Sequence, residues 1–140
     1  MAIQQTLTTS FKQEMLQAGQ NLATDTLKMA LYTGFASIGP TTTSFTITDE
    51  VVGTGYTSGG KTLTGVVITA NPDGTVYVNF DNVVWPASSF TARGALIYNS
   101  TQSNKSIAVL DFGADKTCVN QTFTVTMPAN TVSTALLRFP

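Results

Sequence analysis

A single-domain antiparallel β-sandwich of about eight strands with a short N-terminal helix is the fold class this sequence predicts. Three observations predict it. Threonine and apolar residues alternate along segment after segment, most cleanly in Gln121-Thr122-Phe123-Thr124-Val125-Thr126-Met127. Successive side chains on a strand point to opposite faces, so Phe123, Val125 and Met127 share a dry face while the threonines share a wet one. The chain holds 25 threonines, whose branched β-carbon suits a pleated surface. Glycine, proline and asparagine punctuate these runs at short intervals, the spacing of a sandwich and not of an α/β fold.

The elements follow in order. Ser10 with Gln13 three positions on fits a capping box, which satisfies free amides at a helix start. Phe11, Met15, Ala18 and Leu22 then recur at helical spacing, predicting about three turns with one apolar stripe and a stop near Asn21. So short a helix is marginal alone, so the stripe must lie on the sheet or on a neighbouring subunit. Residues 1–25 are therefore expected to form an arm and helix, and 26–140 the sandwich. Deleting residues 1 to 22 is expected to leave the sandwich folded while attachment to its partner is lost.

From Thr26 the period changes from 3.6 to 2. Leu27, Met29 and Leu31 mark a first strand, and Phe45 with Ile47 a short second one. Residues 52–60 carry four glycines in nine positions, predicting a surface loop. A third strand is expected over Lys61 to Thr69, closed by the turn Asn71-Pro72-Asp73-Gly74. Val76, Val78 and Phe80 open a fourth strand that runs to Trp85 and stops at Pro86. The fifth covers Ala92 to Tyr98, and the polar run Asn99 to Lys105 is a loop. Ile107 to Phe112 form the sixth, Gly113-Ala114-Asp115-Lys116 a turn, and the threonine ladder the seventh. Pro128-Ala129-Asn130 turns the chain into a last strand, Ala135 to Phe139.

At 140 residues the chain suits one domain with a core that needs no disulfide. Only 11% of residues are charged, against roughly 25% in ordinary soluble domains, and the net charge is −1. Seven scattered Lys and Arg give no basic patch for nucleic acid or an anionic membrane. No apolar run approaches the ~18 residues of a membrane span. The start of the chain lacks the pattern of a signal peptide, so synthesis and retention in a cytoplasm are expected. Cys118 is the only cysteine, expected as a quiet strand residue.

The sequence holds no histidine, which removes the commonest general base and metal ligand. Asp49 and Glu50, adjacent on an extended segment, would point apart, as two solvated charges flanking a loop. Asp111 and Asp115 flank a turn where calcium is conceivable, although water or turn amides are the plainer partners of Asp111. Asp111-Phe112-Gly113 spells a kinase tripeptide without the catalytic loop, and Gly60-Lys61-Thr62 lacks the spacing and helix of a phosphate loop. Three Asn-x-Ser/Thr matches are what chance gives in so threonine-rich a chain. Neither enzyme activity, cofactor nor metal is expected. Trp85 is expected to fill the core; its alternative, with Asp81 and Asn82, is stacking on a sugar. Arg93, inside an apolar strand, is expected to pair with a carboxylate at a sheet edge or across a subunit contact.

Trp85-Pro86-Ala87, Thr91-Ala92-Arg93-Gly94-Ala95-Leu96-Ile97-Tyr98-Asn99 and Ile107-Ala108-Val109-Leu110-Asp111-Phe112-Gly113 together resemble a family of small virion proteins of tailed bacteriophages. Phe11 to Leu16, Asp25 to Thr33 and Gly53-Thr54-Gly55-Tyr56 with Gly59-Gly60 are similar to the same family, so the likeness runs from Phe11 to Phe139. It implies a particle component without saying which. A capsid decoration or cement protein is the first expectation, present in the virion and bound to the major capsid protein or other virion proteins as a homo-oligomer, with a trimer as the guess. A tail, neck or fibre attachment module is the second, and a carbohydrate-binding sandwich the third. The expected contact residues are Phe11, Met15, Ala18, Leu22 and Arg93. Partners among nucleic acids and membranes are not expected.

Overall fold

A computed structural model describes residues 3–139. The fold is mainly β: two antiparallel sheets face each other across one core, with a single short helix at one end. The strands are β1 (Thr6–Leu7), β2 (Leu27–Tyr32), β3 (Lys61–Thr62), β4 (Val67–Ala70), β5 (Val76–Asn79), β6 (Val83–Asn99), β7 (Lys105–Val125) and β8 (Leu137–Phe139); the helix, α1, is Thr9–Leu16. The larger sheet has the order β1-β7-β6-β2-β3, and the smaller one β4-β5-β8.

The spine is the β6–β7 hairpin, paired from Val83↔Val125 to Asn99↔Lys105. Here the chain departs from expectation twice. Pro86 does not end a strand: it sits in the register gap between Trp85 and Ser88, where the ladder asks no amide of it. The stretch around Gly113 does not turn the chain either. Between Ala92↔Lys116 and Gly94↔Asp111, β7 advances five residues while β6 advances two, so the turn residues are absorbed as a wide bulge. The expected sixth and seventh strands thus become one, β7, while the expected fourth is cut: Val76–Asn79 stays in the small sheet as β5, and its Val83-to-Trp85 end runs on into the fifth as β6.

The expected strand over Lys61 to Thr69 divides as well. Lys61–Thr62 stays in the large sheet beside β2, and Val67–Ala70 joins the small one. The crossing is made at Gly65, whose φ is 66° and where a Cβ would fall 2.3 Å from the Asp81 carboxylate. Phe45 and Ile47 form no strand. Phe45 stacks on Tyr98, with ring centroids 4.7 Å apart, and Ile47 is exposed. This segment and Ile38 cover the back of the large sheet, so Ala30, Tyr32, Leu96 and Val109 lie in a second, smaller core. That is why β2 is buried on both faces. The threonine ladder keeps its expected polarity: Phe123, Val125 and Met127 are buried, and Thr122, Thr124 and Thr126 are exposed.

The N-terminal segment is part of the sandwich, not an arm beside it. β1 pairs with β7 through Thr6↔Val109 and Leu7↔Ala108. Thr8, not Ser10, caps the helix, its hydroxyl accepting from the Phe11 amide at 3.3 Å. The helix ends at Leu16, earlier than predicted, because Ala18 takes a left-handed φ of 56° and Gly19 donates back to the Glu14 carbonyl at 2.7 Å. A buried polar cluster clips the segment down. Ser106 donates to Thr8 (2.9 Å) or Thr42 (2.7 Å), Gln20 to Glu14 (2.9 Å), and Asn99 to Gln20 (3.1 Å) and Asp25 (2.8 Å). Phe11 and Leu22 complete the seam from the apolar side, both inside the main core.

Candidate interaction surfaces

The five residues predicted to make contacts divide. Phe11 is wholly buried within the chain and offers nothing to a partner, while Leu22, also buried, lines the floor of the cleft between the helix and the small sheet. Ala18 is exposed and lies beyond the helix, so Met15, Ala18 and Leu22 are not a stripe on one helical face, yet the three line one cleft. Met15 is 37% exposed, and its neighbour Leu16, absent from the expectation, is 91% exposed. Arg93 does find carboxylates, but within its own chain: Asp111 at 3.8 Å and Asp115 at 3.7 Å, both brought near by the β7 bulge. These are long, partly exposed pairs and contribute little to stability. They also account for the two aspartates considered as a calcium site, and no group of three or more Asp, Glu or Cys with metal-holding geometry occurs among the described residues.

Met15 and Leu16 form one wall of an open apolar cleft of about 620 Å³ between α1 and the small sheet. The other wall is Ile68, Val76 and Phe139, and the ring of Phe139 lies 6.1 Å from that of Phe11. With Val67 on the outer face of β4, five large apolar side chains are left exposed at this one corner, half of those exposed among the described residues. The sequence carried a signal for it. Val66-Val67-Ile68 is apolar at both parities, so the strand cannot hide all of its side chains behind one sheet face. Polar threonine on the outer face, as in β7, is missing at Val67.

Glu50 is the second residue the sequence concealed. Far from being solvated, it is buried, and three donors converge on it: Tyr56 Oη at 2.5 Å, Ser58 Oγ at 2.7 Å and the Gly59 amide at 2.7 Å. Tyr56 Oη in turn accepts from the Leu31 amide at 2.9 Å, and Tyr98 Oη donates to the Gly59 carbonyl at 2.6 Å. The glycine-rich loop is thereby latched onto β2 and β6. It sits so close that a Cβ on Gly60 would meet the Met29 carbonyl oxygen at 1.8 Å. Burial pushes the Tyr98 hydroxyl up to about 12, with the Glu50 charge adding to it. Burial also raises Tyr56 well above the ordinary tyrosine range, reinforced by its hydrogen bond to Glu50, and Tyr32 by burial. This carboxylate and its phenols are therefore occupied in holding the loop.

Comparison with protein-family models, with curated proteins and with solved structures finds no match. What the surface can do must be taken from its own chemistry. Trp85 is 1% exposed, flanked by Tyr56 and Phe123, and fills the core as expected. It cannot stack on a sugar from there. Asn82 accepts from the Met127 amide at 2.7 Å, and Asp81 from Thr64 at 3.2 Å, so the two residues grouped with Trp85 are also engaged internally. Cys118 is a buried, free strand residue. The remaining surface is mainly hydroxyl, illustrated by Thr91 and Thr117 facing each other at 2.8 Å on the exposed side of the hairpin. Among the described residues no helix is long and apolar enough to cross a membrane.

Proposed function

We propose that this chain is a non-enzymatic structural component of a tailed-bacteriophage particle, most specifically a decoration or cement protein on the shell. The resemblance across Phe11 to Phe139 supports a virion role. The observation that carries the reading is the surface itself: a charge-poor, hydroxyl-coated wall with half of the large apolar side chains exposed among the described residues gathered at one corner. Such a wall gives little long-range repulsion, so many copies can sit side by side on the major capsid protein or on other virion proteins. Large apolar groups gathered on a surface mark a contact site. Buried Trp85 leaves the carbohydrate-binding alternative without its aromatic platform.

Counting this chain against the major shell protein in purified particles tests the proposal. Near-equal abundance supports cementing. A handful of copies per particle transfers the role to the tail, neck or a fibre, and absence from infectious particles ends the virion reading.

A further inference from the structure

We propose that β4 is a homotypic docking edge, across which a second copy of this chain pairs antiparallel about a two-fold axis at Ile68. The proposal does not depend on the particle reading. β4 ends the order of the small sheet, with β5 on one side only, and among the described residues no backbone hydrogen bond reaches Ile68 or Ala70 from the other side. The phase of its free groups follows from the adjoining turn. Asn71 donates to the Thr75 carbonyl at 2.8 Å, and the register pairs Thr69 with Tyr77 and Val67 with Asn79. Antiparallel pairs alternate between bonded and non-bonded, so Thr69 and Val67 bond inward to β5. Val66, Ile68 and Ala70 therefore turn their N–H and C=O groups outward.

That phase is self-complementary. With Ile68 opposite Ile68 of the second copy, Val66 falls opposite Ala70, and all three outward-facing residues meet as bonded pairs. Val67 and Thr69 then face each other across the seam on the outer face, a favourable β-branched pair. The two three-stranded sheets would become one of six strands. On the inner face, Ile68 joins the two apolar clefts into a single trough bordered by Met15 and Leu16 of both copies.

The edge also lacks the devices by which solitary strands avoid such pairing. Between Thr62 and Asn71 there is no charge, no proline and no lysine, while Val67 and Ile68 are each 46% exposed. The exposures of Val67, Ile68, Val76, Met15 and Leu16 amount to roughly 500 Å² per copy, so covering them gives ~1,000 Å² for the pair, the lower bound of a specific interface. The distal edge of β7 is also unpaired but presents threonine, asparagine and glutamine instead of a cluster of large apolar groups.

Sedimentation velocity of the full chain across a concentration series reads the assembly directly. A dimer is expected, and Val67→Glu, which sets like charges diagonally across the seam, should weaken it about a hundredfold or more with thermal unfolding unchanged. A second variant guards against a merely damaged fold. Ile68→Cys should cross-link two copies on mild oxidation, because bonded partners sit ~5.5 Å apart at Cα, within disulfide reach. A cysteine placed at exposed Val84 on the other sheet should not. A wild-type monomer at all concentrations, a trimer, or a dimer indifferent to Val67→Glu and uncross-linked by Ile68→Cys would each overturn the assignment.

Discussion

Replacing Glu50 by alanine tests the latch on the glycine-rich loop. The substitution strips the acceptor from three donors: Tyr56 Oη, Ser58 Oγ and the Gly59 amide. Ser58 is exposed and can turn to water, so its loss is small. The Gly59 amide and the largely buried Tyr56 hydroxyl cannot both do so, and each unsatisfied buried donor costs ~1–3 kcal/mol. The sum, about 2–6 kcal/mol, is partly offset because the wild-type chain also bears the cost of burying a carboxylate. A net loss of about 3 kcal/mol is expected, lowering Tm by roughly 10 °C in a domain of this size. Glu50→Gln keeps one acceptor oxygen and should lose about half as much. Urea unfolding measures the loss, while limited trypsin digestion at exposed Lys61, beside the loop, reports whether the latch has opened. If Glu50→Ala costs under about 1 kcal/mol and Lys61 stays as protected as in wild type, Glu50 does not hold the loop.

Three further outcomes follow from the same coordinates. Phe11 is wholly buried, so Phe11→Ala should cost about 3–5 kcal/mol, and deletion of residues 1 to 22 should yield a chain without a cooperative thermal transition; a truncated protein with wild-type Tm would show that the segment is dispensable. Ala18 holds a left-handed φ of 56° where the Gly19 amide closes the helix end on the Glu14 carbonyl, so Ala18→Gly should stabilise by about 0.5–1 kcal/mol in urea unfolding, and a loss of stability would contradict the capping geometry. Tyr98 is pushed up to about 12, and Tyr56 and Tyr32 are raised as well, chiefly by burial. An acid whose folded pKa is raised binds its proton more tightly when folded, so this stability is full below the unfolded value near 10 and is lost as pH rises from there through about 12. A urea midpoint flat across that window would contradict the burial of these phenols.

Much of the local pattern was legible without coordinates. Alternation over Gln121 to Met127 assigned the buried and exposed faces of that strand, because a side chain's face is fixed by parity alone. The same logic placed Leu27, Met29 and Leu31 in the core, and helical spacing located a helix near Phe11. Local rules failed where a second strand decided the outcome. Pro86 and Gly113 are breakers in isolation, yet each falls where the β6–β7 register slips, and a slipped register asks less of the backbone than a continuous ladder. Glu50 was unreadable because its three donors all belong to a loop whose fold over β2 no spacing rule encodes.

By itself, then, the sequence determined composition-level facts and faces: a charge-poor, threonine-rich sandwich with a short helix. Only the tertiary structure decided which strands fused, which ones divided between sheets, that Phe11 and Leu22 belong to the interior, and that β4 is an open edge. The reason is physical. Which way a side chain points depends on its own backbone, whereas burial, pairing and latching depend on what another part of the chain brings to the same place.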